Sequence, residues 1–299
     1  MTSPDEPHGA SRDAARAREF FVGIDSDGCA FDTMEVKHKE CFIPAIIRFY
    51  RLAAVSKAAR ECAEFVNLYS KSRGVNRFPA LVEALDLLAD RPEVAERGFA
   101  MPKVEGLRAW LARATTLGNA ALRAEVERTG DADLRLALQW SEAANASIAE
   151  TVHAVPPFPN VREALASIGR SADAMVISST PAEALRREWA EHGLADAVGS
   201  IAGQERGGKE HILKDAIAGR YDPAKVLMIG DAPGDRKAAE AAGVLYYPIE
   251  PGAEAESWRR FLDEALPKFL DGTYAGAYMA ERVARFESLL PETPPWAAR

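Results

Sequence analysis

Long apolar runs are missing from this sequence. No segment reaches the ~18 apolar residues that a membrane span requires, and the N-terminus has no apolar stretch of the kind a secretory signal carries. Long basic runs are missing as well. With 37 Lys and Arg against 45 Asp and Glu, the net charge is −8, which argues against a general nucleic-acid or anionic-membrane surface. Cysteine is scarce: Cys29, Cys41 and Cys62 form no C-x-x-C pair and no zinc-ligand pattern. They read as reduced thiols of a cytoplasmic protein, with Cys29 a small turn-and-core residue. Between Glu35 and about Val155 there is no β-rich run either. That leaves a helical stretch of about 120 residues to be accommodated somewhere in an otherwise mixed chain.

What is present begins with Phe20-Phe21-Val22-Gly23-Ile24, an apolar run of the length of a buried parallel strand, which stops at Asp25 and Asp27. In open α/β sheets ligands bind beyond the carboxyl ends of the strands. Residues i and i+2 of an extended segment share a side, so both carboxylates can face one ligand. Two like charges that close together are costly unless a cation or a shared proton separates them. Gly28 then permits a sharp turn and a close approach of a ligand to the main chain. The opening residues 1–19, polar and charged, read as a disordered tail.

Within the helical stretch, apolar residues recur at helical spacing, as in Phe78, Leu81, Val82, Leu85 and Leu88. Pro44, Pro79, Pro92 and Pro102 divide it into several helices, with Gly106, Gly118 and Gly130 as further breaks. The spacing predicts an all-helical domain, 35–155, inserted between the first and second strands. Val155-Pro156-Pro157-Phe158-Pro159 marks the return and a hinge. The α/β core then comprises 20–34 and 156–299.

The strand–helix rhythm resumes with a helix over Val161–Ile168 and a strand over 173–177 that ends in Ser178-Ser179-Thr180-Pro181. Such a turn offers hydroxyls and backbone N–H groups to an anion, or merely caps a helix. A third strand is expected near 197–202. Lys209 then opens a helix, where a cation opposes the macrodipole. The strand 225–229 delivers a second acidic pair, Asp231 and Asp235, around a Pro-Gly turn, and a fifth strand spans 244–249. A hard cation such as Mg²⁺ takes oxygen ligands. Asp25, Asp231 and Asp235, with a main-chain carbonyl, would supply them. The remainder, 254–299, reads as two or three peripheral helices.

In order and context, Asp25-x-Asp27-Gly28, Ser178, Lys209 and Gly230-Asp231-x-x-x-Asp235 resemble the four motifs of the haloacid dehalogenase-like (HAD) superfamily over about residues 20–250. The insertion straight after the first motif is similar to the branch with a helical cap, which includes phosphoglycolate phosphatase and β-phosphoglucomutase. The resemblance implies a doubly wound, Rossmann-like parallel sheet with an inserted helical cap. It implies an aspartyl-phosphate mechanism: Asp25 the nucleophile, Asp27 the general acid and base, and Mg²⁺ held by Asp25, the Asp27 carbonyl, Asp231 and Asp235. Ser178 and the Ser179 backbone would bind phosphoryl oxygens, and Lys209 would offset their charge.

Asp27 is expected to titrate above an ordinary aspartate if its neighbour stays ionised. Gly74-Val75-Asn76-Arg77 is similar to a cap loop whose arginine contacts substrate phosphate in β-phosphoglucomutase, so Arg77, with Lys71 and Arg73, is a candidate substrate contact. His38 could be a pocket residue or a packed one. The second acid points to a phosphatase, since relatives that cleave carbon–halogen bonds typically lack it. A phosphomutase, or a non-catalytic phosphometabolite-binding protein on the same scaffold, are the alternatives. The expected partner is a small phosphorylated metabolite, bound by a monomer or a homodimer.

Overall fold

The computed structural model describes residues 18–297. Most of the tail expected over 1–19 lies outside the described residues. Its last two residues do not: the Arg18 backbone N–H donates to Asp173 (3.1 Å), and Glu19 pairs with Lys225.

Five strands form one parallel sheet in the order β3-β2-β1-β4-β5. They are β1 (Phe20–Ile24), β2 (Ala172–Ile177), β3 (Ser200–Ala202), β4 (Val226–Gly230) and β5 (Leu245–Pro248). The central strand β1 pairs β2 in the register Gly23↔Met175 and β4 in the register Gly23↔Met228. The chain winds outward from it in both directions, which puts the topological switch point, and the crevice it opens, at its carboxyl end. Side-chain alternation along β1 divides the core. Val22 and Ile24 face one layer with Val161, Leu165, Trp189, Trp258 and Phe261. Phe21 faces the other, with Met175, Ile177, Leu213 and Met228. Gly23 is needed on that second face, because a Cβ there would stand 2.9 Å from the Ile177 Cδ1.

The segment beyond β1 is pinned from behind by two indoles. Trp189 donates to the Ser26 hydroxyl (3.0 Å), and Trp258, fully buried on the helix Glu254–Arg260, donates to the Cys29 carbonyl (2.8 Å). Cys29 is itself fully buried, and burial pushes its thiol well above the ordinary range. Trp258→Phe keeps an aromatic ring in place but strips the Cys29 carbonyl of that donor and leaves the space of the lost pyrrole ring unfilled. We expect a loss of at least about 2 kcal/mol from the unsatisfied buried acceptor and the cavity together, seen as a lower urea midpoint at unchanged slope; an unshifted midpoint would refute the role.

Between 33 and 151 helices are the only regular elements, joined by loops, and they share an apolar core of Phe42, Ile46, Phe65, Phe78, Leu81, Trp110 and Trp140. Chain exit and return run side by side: Phe31 bridges Pro157, and the Phe158 N–H donates to the Ala30 carbonyl (2.9 Å). The first cap helix does not break at Pro44. It runs from Thr33–Val36 through a π-helical turn, Lys37–Phe42, into Ile43–Phe49. Proline lacks the N–H that an α-helix interior requires, and the widened turn before it, with Ile43 donating to the His38 carbonyl, absorbs the mismatch.

A third connection joins the two bodies. After the helix Ala277–Ser288 the chain crosses to the cap, where Lys71 donates from its backbone to the Pro291 carbonyl (3.4 Å) and pairs with Glu292 (2.6 Å). There Trp296 packs edge-on to Phe65 and lies beneath the Arg91 guanidinium. Among the described residues no helix is long and apolar enough to cross a membrane.

Candidate active site

Three strands deliver the acids and bases to one point. Just past β1, the Asp25 N–H continues the ladder onto the Ile229 carbonyl of β4 (3.0 Å), which fixes its side chain at the sheet's edge. One Asp25 oxygen accepts from the Ser26 N–H (2.8 Å), and the other meets Lys209 (2.7 Å). Lys209, at the start of the helix Lys209–Ile217, also donates to Asp235 (2.6 Å). Its position at an unfavourable helix end is thus offset by two carboxylates, which hold its ammonium well above the usual lysine range against the cost of burial.

Asp235 sits in the first turn of Pro233–Ala242 and accepts from the Ala232 N–H (3.1 Å), so it also satisfies a helix N-terminus. Gly230 makes this possible: a Cβ there would be 2.3 Å from the Asp235 Cγ. Gly28, at φ +79°, does the same for Asp231, whose Oδ2 would lie 2.4 Å from an added Cβ.

Oxygens of Asp25, Asp231 and Asp235 all lie within 4.8 Å of one another, and all three residues are buried. Burial pushes Asp25 up to about 7 and Asp231 to about 6, in spite of Lys209 beside the one and Arg73 beside the other. Asp231 Oδ1 is buried with no hydrogen-bond partner among the described residues. Crowded carboxylates that resist ionisation, with an orphaned oxygen among them, are what a hard divalent cation would relieve, so the residues present fit Mg²⁺.

Asp27 differs from its neighbour. It accepts from Thr33, from Lys37 (2.5 Å) and, on its other oxygen, from Thr180 (2.7 Å). Burial opposes its charge, but Lys37 and the two hydroxyls outweigh that and hold Asp27 below the usual carboxylate range. This corrects the expectation of a raised value, which considered only the carboxylate next to it. Lys37, on the π-helical turn of the cap, and Glu188, 4.0 Å from it, were not singled out from the sequence. Desolvation of its half-buried carboxyl, and then the charge of Asp27 beside it, push Glu188 up to about 7. One lysine and one glutamate on helices carry no pattern that separates them from surface charges.

Ser178 follows β2, buried, with its hydroxyl accepting from the Thr180 N–H (3.2 Å). Ser179 is exposed at the same turn, and both line a cavity of about 930 Å³ that runs from Asp25 and Asp27 up into the cap. On the cap side Arg77 reaches Ser141 (2.9 Å) and Asn145 (2.6 Å) and lies over the Phe42 ring. Burial pushes its guanidinium down to about 10. His38 packs against Phe42 with ring centroids 5.0 Å apart, its Nδ1 unpartnered among the described residues, and it too lines the cavity. Burial and the nearby arginines push its imidazole down to about 3. Lys71 turns outward to Glu292, while Arg73 turns inward to Asp231.

A profile of the haloacid dehalogenase-like hydrolases matches residues 24–243, a span that contains every strand-end residue described above. No protein of curated function matches this chain in sequence. Among solved structures, a provisionally named phosphoglycolate phosphatase from Lactobacillus delbrueckii subsp. bulgaricus is 14% identical, with 78% of this chain and 87% of that one covered and a TM-score of 0.49. A haloacid dehalogenase-like family protein from Streptococcus pneumoniae is 12% identical, with 80% and 90% covered and a TM-score of 0.41. A provisionally named β-phosphoglucomutase from Thermotoga maritima is 15% identical, with 77% and 84% covered and a TM-score of 0.38. The family match spans well over half of the chain, and with it the parallel sheet, the cap and the clustered acids find one account: this protein belongs to the haloacid dehalogenase-like hydrolases.

Proposed function

We propose that the protein is a Mg²⁺-dependent phosphatase that releases phosphate from a small phosphorylated metabolite. The observation that carries this reading is the Asp25 carboxylate, poised between Lys209 and the oxygens of Asp231 and Asp235 at the floor of a cavity shared by core and cap. One Asp25 oxygen attacks phosphorus, the ester P–O bond breaks, and the leaving oxygen takes a proton from Asp27. Asp27, left as a carboxylate, then draws a proton from the water that attacks the aspartyl-phosphate, which regenerates Asp25 and frees inorganic phosphate. Lys209 and the Ser178 hydroxyl, with the Ser179 backbone, bind the phosphoryl oxygens. Mg²⁺, held by Asp25, Asp231, Asp235 and the Asp27 carbonyl, supplies charge stabilisation for phosphoryl transfer. A phosphoryl dianion beside Asp27 raises its pKa by like-charge repulsion, counter to Lys37, and so favours the protonated form that the first step consumes.

Arg77 supports an anionic substrate. It is a cavity-wall guanidinium whose hydrogen-bond partners, Ser141 and Asn145, are both neutral. A poorly compensated cation favours an anion in the cavity. The test is a panel of sugar and organic-acid phosphates with Mg²⁺, read as phosphate release. We expect release from at least one member, abolished by EDTA and restored by Mg²⁺. Silence across the panel, or release indifferent to EDTA, would count against a metal-dependent phosphatase.

A further inference from the structure

Arg73 has no task in the mechanism above, yet it is one of the most deeply placed charges in the molecule. It lies in the cap loop between the helices Ser56–Leu68 and Arg77–Ala89, with only 3% of its surface exposed. Its Nε and NH2 converge on Asp231 Oδ2 at 2.9 and 2.6 Å, and Nε also donates to the Asp231 main-chain carbonyl (3.0 Å). A residue of the cap therefore grips the one carboxylate of the core cluster that Lys209 does not. Among the described residues Asp231 Oδ1 remains without a partner.

A guanidinium and a divalent cation on one carboxylate repel each other, and the low dielectric of a buried site does little to weaken that repulsion. Arg73 cannot swing aside alone. Its NH1 is tied back to the Leu68 carbonyl (2.8 Å), and the next residue, Gly74, packs so close to the core that an added Cβ would stand 2.7 Å from that of Ala232. To withdraw the guanidinium, the loop has to lift.

We propose that Arg73 is a built-in counter-ion that competes with the divalent cation for Asp231. Metal loading then loosens loop 69–76 from the core, and seating of that loop weakens metal binding by the same factor, because linkage between two sites is reciprocal. The inference rests on the assignment of Asp25, Asp231 and Asp235 as the cation site. The alternative is that Arg73 orients Asp231 and so strengthens its hold on the metal, which predicts the opposite sign.

Calorimetric titration of the substrate-free full chain with Mg²⁺ separates the two. We expect Arg73→Met, which keeps the apolar stem and removes the charge, to bind Mg²⁺ at least about tenfold more tightly than the parent. Equal or weaker binding overturns the inference and leaves the cation site standing. Absence of Mg²⁺ binding in both proteins removes the cation site and the inference together. Should the variant fail to fold, hydrogen exchange on the unaltered protein decides: faster exchange over 69–76 on Mg²⁺ addition supports competition, and unchanged or slower exchange refutes it.

Discussion

Asp25→Asn should abolish phosphate release, by at least about 10⁴-fold, and should do so in a protein no less stable than the parent. The amide matches the carboxylate in shape but is no nucleophile, so no phosphoryl group can be carried on the enzyme. The second half of the expectation comes from the environment. Burial and the nearby Asp235 push Asp25 up to about 7 despite Lys209, so its charged form is disfavoured in the fold at neutral pH, and a neutral side chain relieves that cost. Lys209 keeps Asp235 as a partner. The measurements are phosphate release, thermal melting, and intact mass after acid quench, where the parent carries one added phosphoryl group and the variant none. Turnover retained within an order of magnitude would rule out Asp25 as nucleophile.

Asp27→Asn should behave differently on both counts. Loss of a general acid–base typically costs about 10²–10⁴-fold. The loss should be smaller in the first step for an aryl phosphate, whose leaving oxygen needs no proton, than for an alkyl phosphate. Hydrolysis of the phosphoenzyme needs the base whatever the leaving group, so phosphorylated protein accumulates. Stability should fall, because Asp27 is held below the usual carboxylate range by Lys37, Thr33 and Thr180. Its charge therefore favours the folded state above its unfolded pKa, and the substitution also leaves Glu188, at 4.0 Å, as the one carboxylate paired with Lys37 among the described residues. The two aspartates stand one residue apart, yet the same isosteric change should lower the melting temperature at Asp27 and leave it level or higher at Asp25. A variant that neither accumulates phosphoenzyme nor discriminates between leaving groups would place the acid–base elsewhere.

The strand-end residues were legible because each ends an apolar run whose burial on both faces leaves no room for periodic polar positions, so a terminal Asp, Ser or Gly-Asp stands out. Strand limits moved by at most one residue except in the third strand. The largest shift is in the third strand, where the stretch expected from 197 begins at Ser200 after a short 3₁₀ turn over Ala195–Ala197. What remained hidden was carried across the two bodies. Nothing local marks Lys37, ten residues past Asp27 on a helix rich in charge, as its partner; the fold of the cap onto the sheet decides it. Arg73 and Arg77 stand four residues apart in one basic stretch, and nothing in the sequence says which faces which way. Asn76 caps the helix that opens at Arg77 by accepting from the Phe78 N–H, which commits Arg77 to the cap interior. Arg73, still in the loop beside Gly74, is free to enter the core. The direction of the Asp27 shift is hidden for the same reason, since Asp25 adjoins it in sequence whereas Lys37 and Thr180 reach it only in the fold.

The crossing of residues 291–297 onto the cap changes how the lid can travel. A flap joined along one edge by two adjacent threads swings freely about that edge. A flap also tied by a cord moves only through the cord's slack, and here the knot is Trp296 against Phe65 and Arg91, with Lys71 bound at Pro291 and Glu292. Shortening or decorating that cord would alter how wide the mouth opens without touching a single atom that meets the substrate.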